Sequence, residues 1–168
     1  MTTRRLLLMR HAKSDWDAGI ETDHQRPLNG RGKKDAPKIA LCLKQLGWIP
    51  DLVLCSDATR TKQTFEKMTK QIDSQVSFLS SLYESSPTTM LNEIAFVSDD
   101  IQTLMILAHN PGISECTQAL SAHFIELTTA NVACFEAEID SCANIHTSQG
   151  AWQLKHWLEP RKIPDLED

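Results

Sequence analysis

The sequence predicts an α/β domain in which helices cover both faces of a mostly parallel central sheet, a three-layer α/β/α sandwich. Three short apolar runs without helical periodicity, at residues 6–9, 52–55 and 104–107, support this prediction. Such runs are typical of strands buried on both faces, which occur in parallel sheets. Segments with helical periodicity separate them, and strands that alternate with helices at this spacing build a sheet covered on both sides.

The other elements follow in chain order. After the first strand the chain is polar and irregular, and helical periodicity then begins near Lys33 and stops at Gly47. Pro37 leaves two alternatives, because either this helix starts close to the proline or its first turns are bent. Asp57 is expected to cap the next helix. Further helices are predicted at 85–97 and 111–120, and further strands at 75–79, 132–139 (edge or antiparallel) and 152–158.

Length and composition restrict the functional classes. A chain of 168 residues suffices for one domain, which we expect over residues 1–159, with a charged and loosely held tail over residues 160–168. The net charge of −5 argues against nucleic-acid or membrane-surface partners. The apolar run near the amino terminus is too short for a signal peptide, and no later run could span a bilayer. Five scattered cysteines without a Cys-x-x-Cys pair predict reduced thiols and a cytoplasmic protein.

Cationic or imidazole side chains follow each of the three apolar runs. Arg10 and His11 end the first run, Arg60 lies in the first helical turn after the second, and His109 follows the third. Ligands bind beyond the carboxyl ends of strands in open α/β sheets, so these four side chains are expected to meet. An arginine fork and a helix N-terminus both favour phosphate, and histidine can act as a nucleophile. The pattern predicts a phosphoryl-transfer site that uses no cofactor and no metal, since carboxylates and histidines at metal-ligand spacing are absent.

These motifs resemble the histidine phosphatase (phosphoglycerate mutase-like) superfamily. Residues 10–16, Arg-His-Ala-Lys-Ser-Asp-Trp, are similar to its Arg-His-Gly motif, and residues 56–64 are similar to its second-arginine helix. The alanine after the histidine, together with residues 26–32 and 108–112, resembles the SixA branch of small phosphohistidine phosphatases. The resemblance runs in order over most of the chain and is therefore more specific than one short motif.

The resemblance implies a phosphoglycerate mutase-like fold and assigns a role to each candidate residue. It implies that His11 is the phosphorylated nucleophile, that Arg10 and Arg60 bind the phosphoryl group, and that His109 completes the pocket. Ser14 is a further candidate donor to the phosphoryl group. An asparagine of the larger family members is replaced here by Asp17, which we expect to turn away from the phosphate.

The role of Glu84 distinguishes two possible substrate classes. The larger members use the glutamate of a Leu-x-Glu segment as a general acid, and Leu82-Tyr83-Glu84 fits that segment. A sugar or alkyl alkoxide must be protonated to leave, whereas the imidazole of a phosphohistidine leaves readily once its ring carries a proton. We therefore expect a phosphohistidine of a partner protein as the substrate. We expect the enzyme to be a monomer or weak dimer.

Two alternatives stay open. A phosphatase for a small phosphorylated metabolite would depend on Glu84, and a non-catalytic module would only dock phosphoproteins. Trp16 fits either the pocket mouth or packing against the loop that follows it. The remaining histidines are expected to be surface or packing residues: His24, His123, His146 and His156.

Overall fold

The computed structural model of the chain describes residues 2–19 and 22–167. Within these residues the strands are β1 (Thr3–Arg10), β2 (Leu52–Ser56), β3 (Gln75–Leu79), β4 (Thr103–Ala108), β5 (Val132–Glu138) and β6 (Gln153–Leu158). The α-helices are α1 (Gly30–Leu46), α2 (Thr59–Met68), α3 (Pro87–Ala95) and α4 (Gly112–Ser121). The predicted order of strands and helices is confirmed.

The strands form one sheet in the order β3-β2-β4-β1-β5-β6. The pairs β3–β2, β2–β4 and β4–β1 are parallel, and the pairs β1–β5 and β5–β6 are antiparallel. The prediction of a mostly parallel sheet is confirmed. For the strand at residues 132–139, the predicted alternatives were an edge strand or an antiparallel strand. It is antiparallel and does not lie at the edge of the sheet, because β6 pairs with its outer side.

Strand β1 is buried on both faces, as its unbroken apolar run predicts. Leu6 and Leu8 contribute to a core cluster that contains residues of α3 and α4, whereas Leu7 and Met9 contribute to a second cluster that contains residues of α1 and α2. All four side chains are at most 1% exposed. Burial of this much apolar area on both sides of one sheet provides the main stabilisation of the three layers.

Helix α1 begins at Gly30 and ends before Gly47, which adopts the left-handed conformation with φ 76°. Pro37 lies inside this helix, so the alternative that the helix starts close to the proline is wrong. The Asn29 side chain caps the helix by accepting a hydrogen bond from the Gly32 N–H.

The expected cap on α2 is also wrong. Ala58 is the N-cap residue and makes no side-chain capping bond. The Asp57 carboxylate instead accepts a hydrogen bond of 2.9 Å from His24 Nε2. An imidazole from another loop thus replaces the backbone N–H groups that Asp57 was expected to bind.

The sequence predicted a loosely held C-terminal tail. In the structure the C-terminal residues pack against α1. Lys38 Nζ, buried in α1, donates to the Ile163 carbonyl at 3.1 Å and to Asp165 at 2.8 Å. Arg31 also pairs with Asp165, at 2.6 Å. These contacts attach the described part of the tail to the domain, and a domain boundary at residue 159 stays a prediction.

No helix among the described residues is long and apolar enough to cross a membrane.

Gly32 allows α1 to approach the loop after β1. A Cβ atom at this position would lie 2.2 Å from the Lys13 carbonyl oxygen, a separation that no real structure tolerates. The Asn29 N–H donates to the same carbonyl at 3.0 Å. The start of α1 therefore holds the loop that follows His11.

We expect Gly32→Ala to lower the free energy of unfolding by about 1–3 kcal/mol, because the added methyl group must displace backbone. The loop carrying His11 would shift with it. Gly30→Ala is the matched control, since its Cβ meets nothing within 4 Å and the substitution is expected to be neutral or slightly stabilising. Urea unfolding of both variants measures the effect, and equal stabilities would contradict the close approach.

Candidate active site

The turn that carries Arg10 and His11 is fixed by backbone hydrogen bonds from two neighbouring segments. The His11 N–H donates to the Ala108 carbonyl at 3.1 Å, which ties the turn to the end of β4. The Ala130 N–H donates to the carbonyls of Arg10 and His11, at 3.1 and 2.9 Å. The His11 side chain is consequently held in a buried position, 5% exposed.

The hydrogen bonds of His11 define its tautomer. Its Nδ1 lies 2.7 Å from the Ala12 carbonyl oxygen. A carbonyl only accepts, so Nδ1 carries the proton and Nε2 presents a lone pair. Arg60 Nε donates toward this nitrogen across 3.4 Å. His11 Nε2 is therefore an oriented candidate nucleophile beside a permanent cation.

Arg60 projects from the first turn of α2 and is 5% exposed. Its guanidinium donates to the backbone carbonyl of Asp23 at 2.8 Å and to the Asp23 carboxylate at 3.0 Å. On the other side of the loop, the Ala12 N–H donates to Thr64 Oγ1 at 3.0 Å, so α2 also supports the turn beside His11.

His109 lies beside His11, with 5.2 Å between the ring centroids. The Ser56 hydroxyl lies 2.7 Å from His109 Nε2, whereas the buried Nδ1 has no hydrogen-bond partner among the described residues. Arg10 likewise has an unpartnered buried Nε, and its Nη1 donates to the Leu127 carbonyl at 3.4 Å. Unpaired buried polar atoms are costly, and a bound tetrahedral anion would supply partners for them.

The site is positively charged but its histidines are neutral. Burial, reinforced by the charges of Arg60 and Arg10, lowers the pKa of His11 to about 3, although its hydrogen bond to the Ala12 carbonyl acts in the opposite direction. Burial and then Arg60 lower the pKa of His109, also to about 3. Burial and Arg60 lower the pKa of Arg10. A neutral imidazole retains the lone pair that a nucleophile needs, and the fixed arginine charges attract a phosphoryl group.

Ser14 lies at the rim of this cluster and is buried. Its hydroxyl oxygen accepts a hydrogen bond from Arg26, whose other Nη donates to Asp23 at 2.9 Å. The Ser14 hydroxyl hydrogen stays available for a further acceptor. Trp16 is 78% exposed and stacks on the Arg26 guanidinium at 3.6 Å. Asp17 is exposed, and that it turns away from the phosphate stays a prediction.

Glu84 is not part of this hydrogen-bonded cluster. It occupies a left-handed backbone conformation with φ 54°, is exposed, and its carboxylate accepts no hydrogen bond from any of the described residues. It lines a cleft of about 510 Å³ together with Ser85, Pro111 and Asn110, the residue that follows His109 in the chain. The Glu84 carboxylate thus lies near the site without a contact that directs it toward His11.

Sequence reasoning missed several residues that the fold brings to the site. Asp23 and Tyr83 come from two different loops, and the Tyr83 hydroxyl donates to the Asp23 carboxylate at 2.6 Å. The signals for Arg26 and Ser56 were present, because Arg26 belongs to a motif that resembles the SixA branch and Ser56 directly follows an apolar run. Tyr83 directly precedes Glu84, the residue that the sequence singled out as a candidate general acid. His24 packs edge-on against Tyr83 at 4.9 Å.

The site combines arginines, a neutral histidine with an oriented lone pair and a second histidine. They lie at the carboxyl edge of the parallel strands, and this arrangement is that of a phosphoryl-transfer enzyme. The chain belongs to the histidine phosphatase superfamily (branch 1), whose family model matches residues 6–92. It is a phosphatase of this superfamily, and the resemblance found in the sequence is confirmed.

One curated relative and several solved structures match nearly the whole chain. An uncharacterised chloroplastic protein of Arabidopsis thaliana is 37% identical over 171 residues, which cover 94% of this chain and 78% of the relative. A structure of a protein proposed to be the phosphohistidine phosphatase SixA, from Nakamurella multipartitia, superposes with a TM-score of 0.85 at 24% identity and covers 95% of this chain and 98% of its own. A structure of SixA complexed with tungstate gives 0.79 at 19% identity, with 94% and 98% covered.

We expect NMR to detect His11 as the neutral Nδ1–H tautomer from pH 7 down to pH 5, because its pKa lies at about 3. Long-range ¹H–¹⁵N spectra distinguish the two ring nitrogens, and His11→Gln assigns the signals. An unfolded histidine binds a proton near pH 6.5, so acidification from about pH 6.5 to 3 lowers the contribution of this residue to the free energy of unfolding. Protonation of His11 near pH 6.5 in the folded protein would contradict the assignment.

Proposed function

We propose that this enzyme dephosphorylates phosphohistidine in a partner protein, without a metal ion, through a covalent phosphohistidine on His11. One observation carries the proposal: the unprotonated Nε2 of a neutral His11 lies beside Arg60 within a cluster of cationic and imidazole groups, and the hydrogen bond that it accepts from Arg60 Nε is long, at 3.4 Å. Phosphoryl transfer needs mainly this kind of positioning and charge stabilisation.

In the first step, His11 Nε2 attacks phosphorus and the P–N bond of the substrate breaks. The leaving imidazole keeps the electron pair of that bond and is neutral because its ring already carries a proton. Arg10, Arg60 and His109 Nδ1 stabilise the three equatorial oxygens. The hydrogen bond from His11 Nδ1 to the Ala12 carbonyl offsets the positive charge that the phosphorylated ring acquires.

In the second step, water attacks the phosphorus of phospho-His11. The P–Nε2 bond breaks, its electron pair returns to Nε2, and the proton of the water passes to solvent or to the phosphate. Inorganic phosphate leaves and the original tautomer of His11 is restored. Ser14, with its free hydroxyl hydrogen, is the further donor that we propose for the phosphoryl oxygens.

The leaving group favours a phosphohistidine over a phosphate ester. An alkoxide requires an acid near the scissile bond, and no contact directs Glu84 toward His11. The SixA structure that is complexed with tungstate, a tetrahedral oxyanion, supports an oxyanion pocket on this fold. A metabolite phosphatase is the second candidate, because Glu84 lines a cleft together with Asn110, the chain neighbour of His109, and this cleft has room for a small substrate.

A reducing compartment such as the cytoplasm agrees with the cysteines. All five are free thiols, and burial raises the pKa of Cys55, Cys116 and Cys134 to about 12. These thiols stay protonated and unreactive, as small core residues. We propose the cytoplasm on this basis, although the plant relative is chloroplastic.

We expect incubation with a phosphohistidine-bearing protein domain, in the presence of a chelator, to label His11 with acid-labile phosphate. His11→Ala removes the label, and Arg60→Ala slows labelling by roughly 10²–10³-fold because one charge donor to the transition state is lost. Rapid quench and mass spectrometry locate the phosphate. Binding of phosphoprotein without label or turnover would instead support a docking module.

Glu84→Gln is expected to change phosphohistidine turnover less than about threefold, because the leaving imidazole needs no acid. Turnover of an alkyl phosphate ester by the same variant is measured in parallel. Glu115→Gln is the control, since Glu115 lines the same cleft. If Glu84→Gln alone abolishes an otherwise efficient ester hydrolysis, the enzyme is a metabolite phosphatase.

A further inference from the structure

We infer that Asp23 is a positioning residue for this reaction: it aligns Arg60 on His11 Nε2, and it competes with bound phosphate for the arginines of the site. Its effect on the reaction rate rests on the proposed function, whereas its effect on anion binding does not. Removal of the carboxylate is therefore expected to strengthen phosphate binding and to slow phosphoryl transfer.

Asp23 contacts both of the arginines that flank it. Its carboxylate accepts from Arg60 Nη2 at 3.0 Å and from Arg26 Nη2 at 2.9 Å, and its backbone carbonyl accepts from Arg60 Nη1 at 2.8 Å. A guanidinium is planar and carries five N–H groups. With both Nη atoms of Arg60 held by one residue, the direction of its Nε–H is fixed, and that hydrogen points at His11 Nε2.

Tyr83 holds Asp23 in this position. Its hydroxyl donates to the carboxylate at 2.6 Å, and its ring packs edge-on against His109 at 5.5 Å. The bond from Tyr83, with those from Arg26 and Arg60, keeps the pKa of Asp23 well below its usual range. Asp23 is consequently ionised at neutral pH, although it lies beside a pocket that is suited to an anion.

These contacts give Asp23 two opposing effects. As an anion beside the pocket it repels a phosphoryl group and occupies hydrogens that phosphate could use, which weakens ground-state binding. As the partner of Arg60 it prevents the guanidinium from rotating and keeps its remaining N–H groups beside His11, where they meet the phosphoryl oxygens in the transition state. A residue with a purely structural role would alter affinity and rate in the same direction, so the two effects are separable.

We expect Asp23→Asn to bind inorganic phosphate roughly tenfold more tightly, because one nearby negative charge is lost. We expect the single-turnover rate of His11 phosphorylation to fall roughly 10- to 100-fold, somewhat less than for loss of Arg60 itself. Isothermal titration with phosphate and rapid quench with the phosphohistidine protein measure the two quantities. Thermal unfolding confirms that the variant is folded.

Two further variants make the comparison specific. Asp57→Asn removes the same charge from a neighbouring carboxylate that bonds to His24 and contacts neither arginine, so both quantities should stay within about twofold of wild type. Tyr83→Phe keeps the carboxylate but removes one of its donors, so the rate should fall a few-fold while phosphate affinity is unchanged. A parallel loss of affinity and rate in Asp23→Asn, or no change in either, would overturn the inference.

The Arg60 Nε–H resonance separates failure of this inference from failure of the proposed function. If wild type never acquires phosphate on His11, the proposed function fails. The titration and the NMR signal still decide the role of Asp23: tighter phosphate binding with a broadened Arg60 Nε–H in Asp23→Asn supports it. Unchanged binding with an unchanged signal refutes it, whatever the activity.

Discussion

Parallel pairing between β1 and β4 sets Arg10 opposite Ala108, so His11 and His109 leave the sheet side by side. The apolar interior of β1 specifies this register. A slip by one residue would pull the charged Arg10 into a sheet that is buried on both faces, at a high cost in desolvation. Strand β2 pairs with the other side of β4 and delivers Ser56 and, one helical turn later, Arg60. The chemistry of the site thus follows from the same backbone pairing that forms the core.

The arginines of the site repel one another, and few negative charges lie near them to offset this repulsion. Burial keeps both histidines neutral, which limits the positive charge to the guanidinium groups. Asp23 is the anion that bonds to two of them, Arg26 and Arg60. A phosphoryl group entering this pocket meets donors that are already oriented, so little reorganisation is needed when negative charge develops.

The sequence predicted the structure correctly where a feature depends on residues that are close together in the chain. An apolar run that ends in Arg-His can be read without knowledge of the rest of the chain, and the strands and the four central side chains were predicted on that basis. Asp23 and Tyr83 could not be found in this way, because 60 residues separate them and only tertiary packing makes them neighbours. The predicted cap at Asp57 failed for the same reason, since its partner His24 comes from a distant loop.

The proposed function assigns substrate choice and chemistry to different parts of the chain. The proposed nucleophile and phosphate-binding side chains lie at strand ends and in the first turn of α2, which the sheet holds rigidly, whereas Trp16, Asp23 and Glu84 lie on the loops around them. A fold of this kind can therefore keep one phosphoryl-transfer mechanism while its loops admit different leaving groups. In this chain the loops direct a carboxylate at Arg60 rather than at the scissile bond, and that arrangement suits a substrate whose leaving group needs no acid.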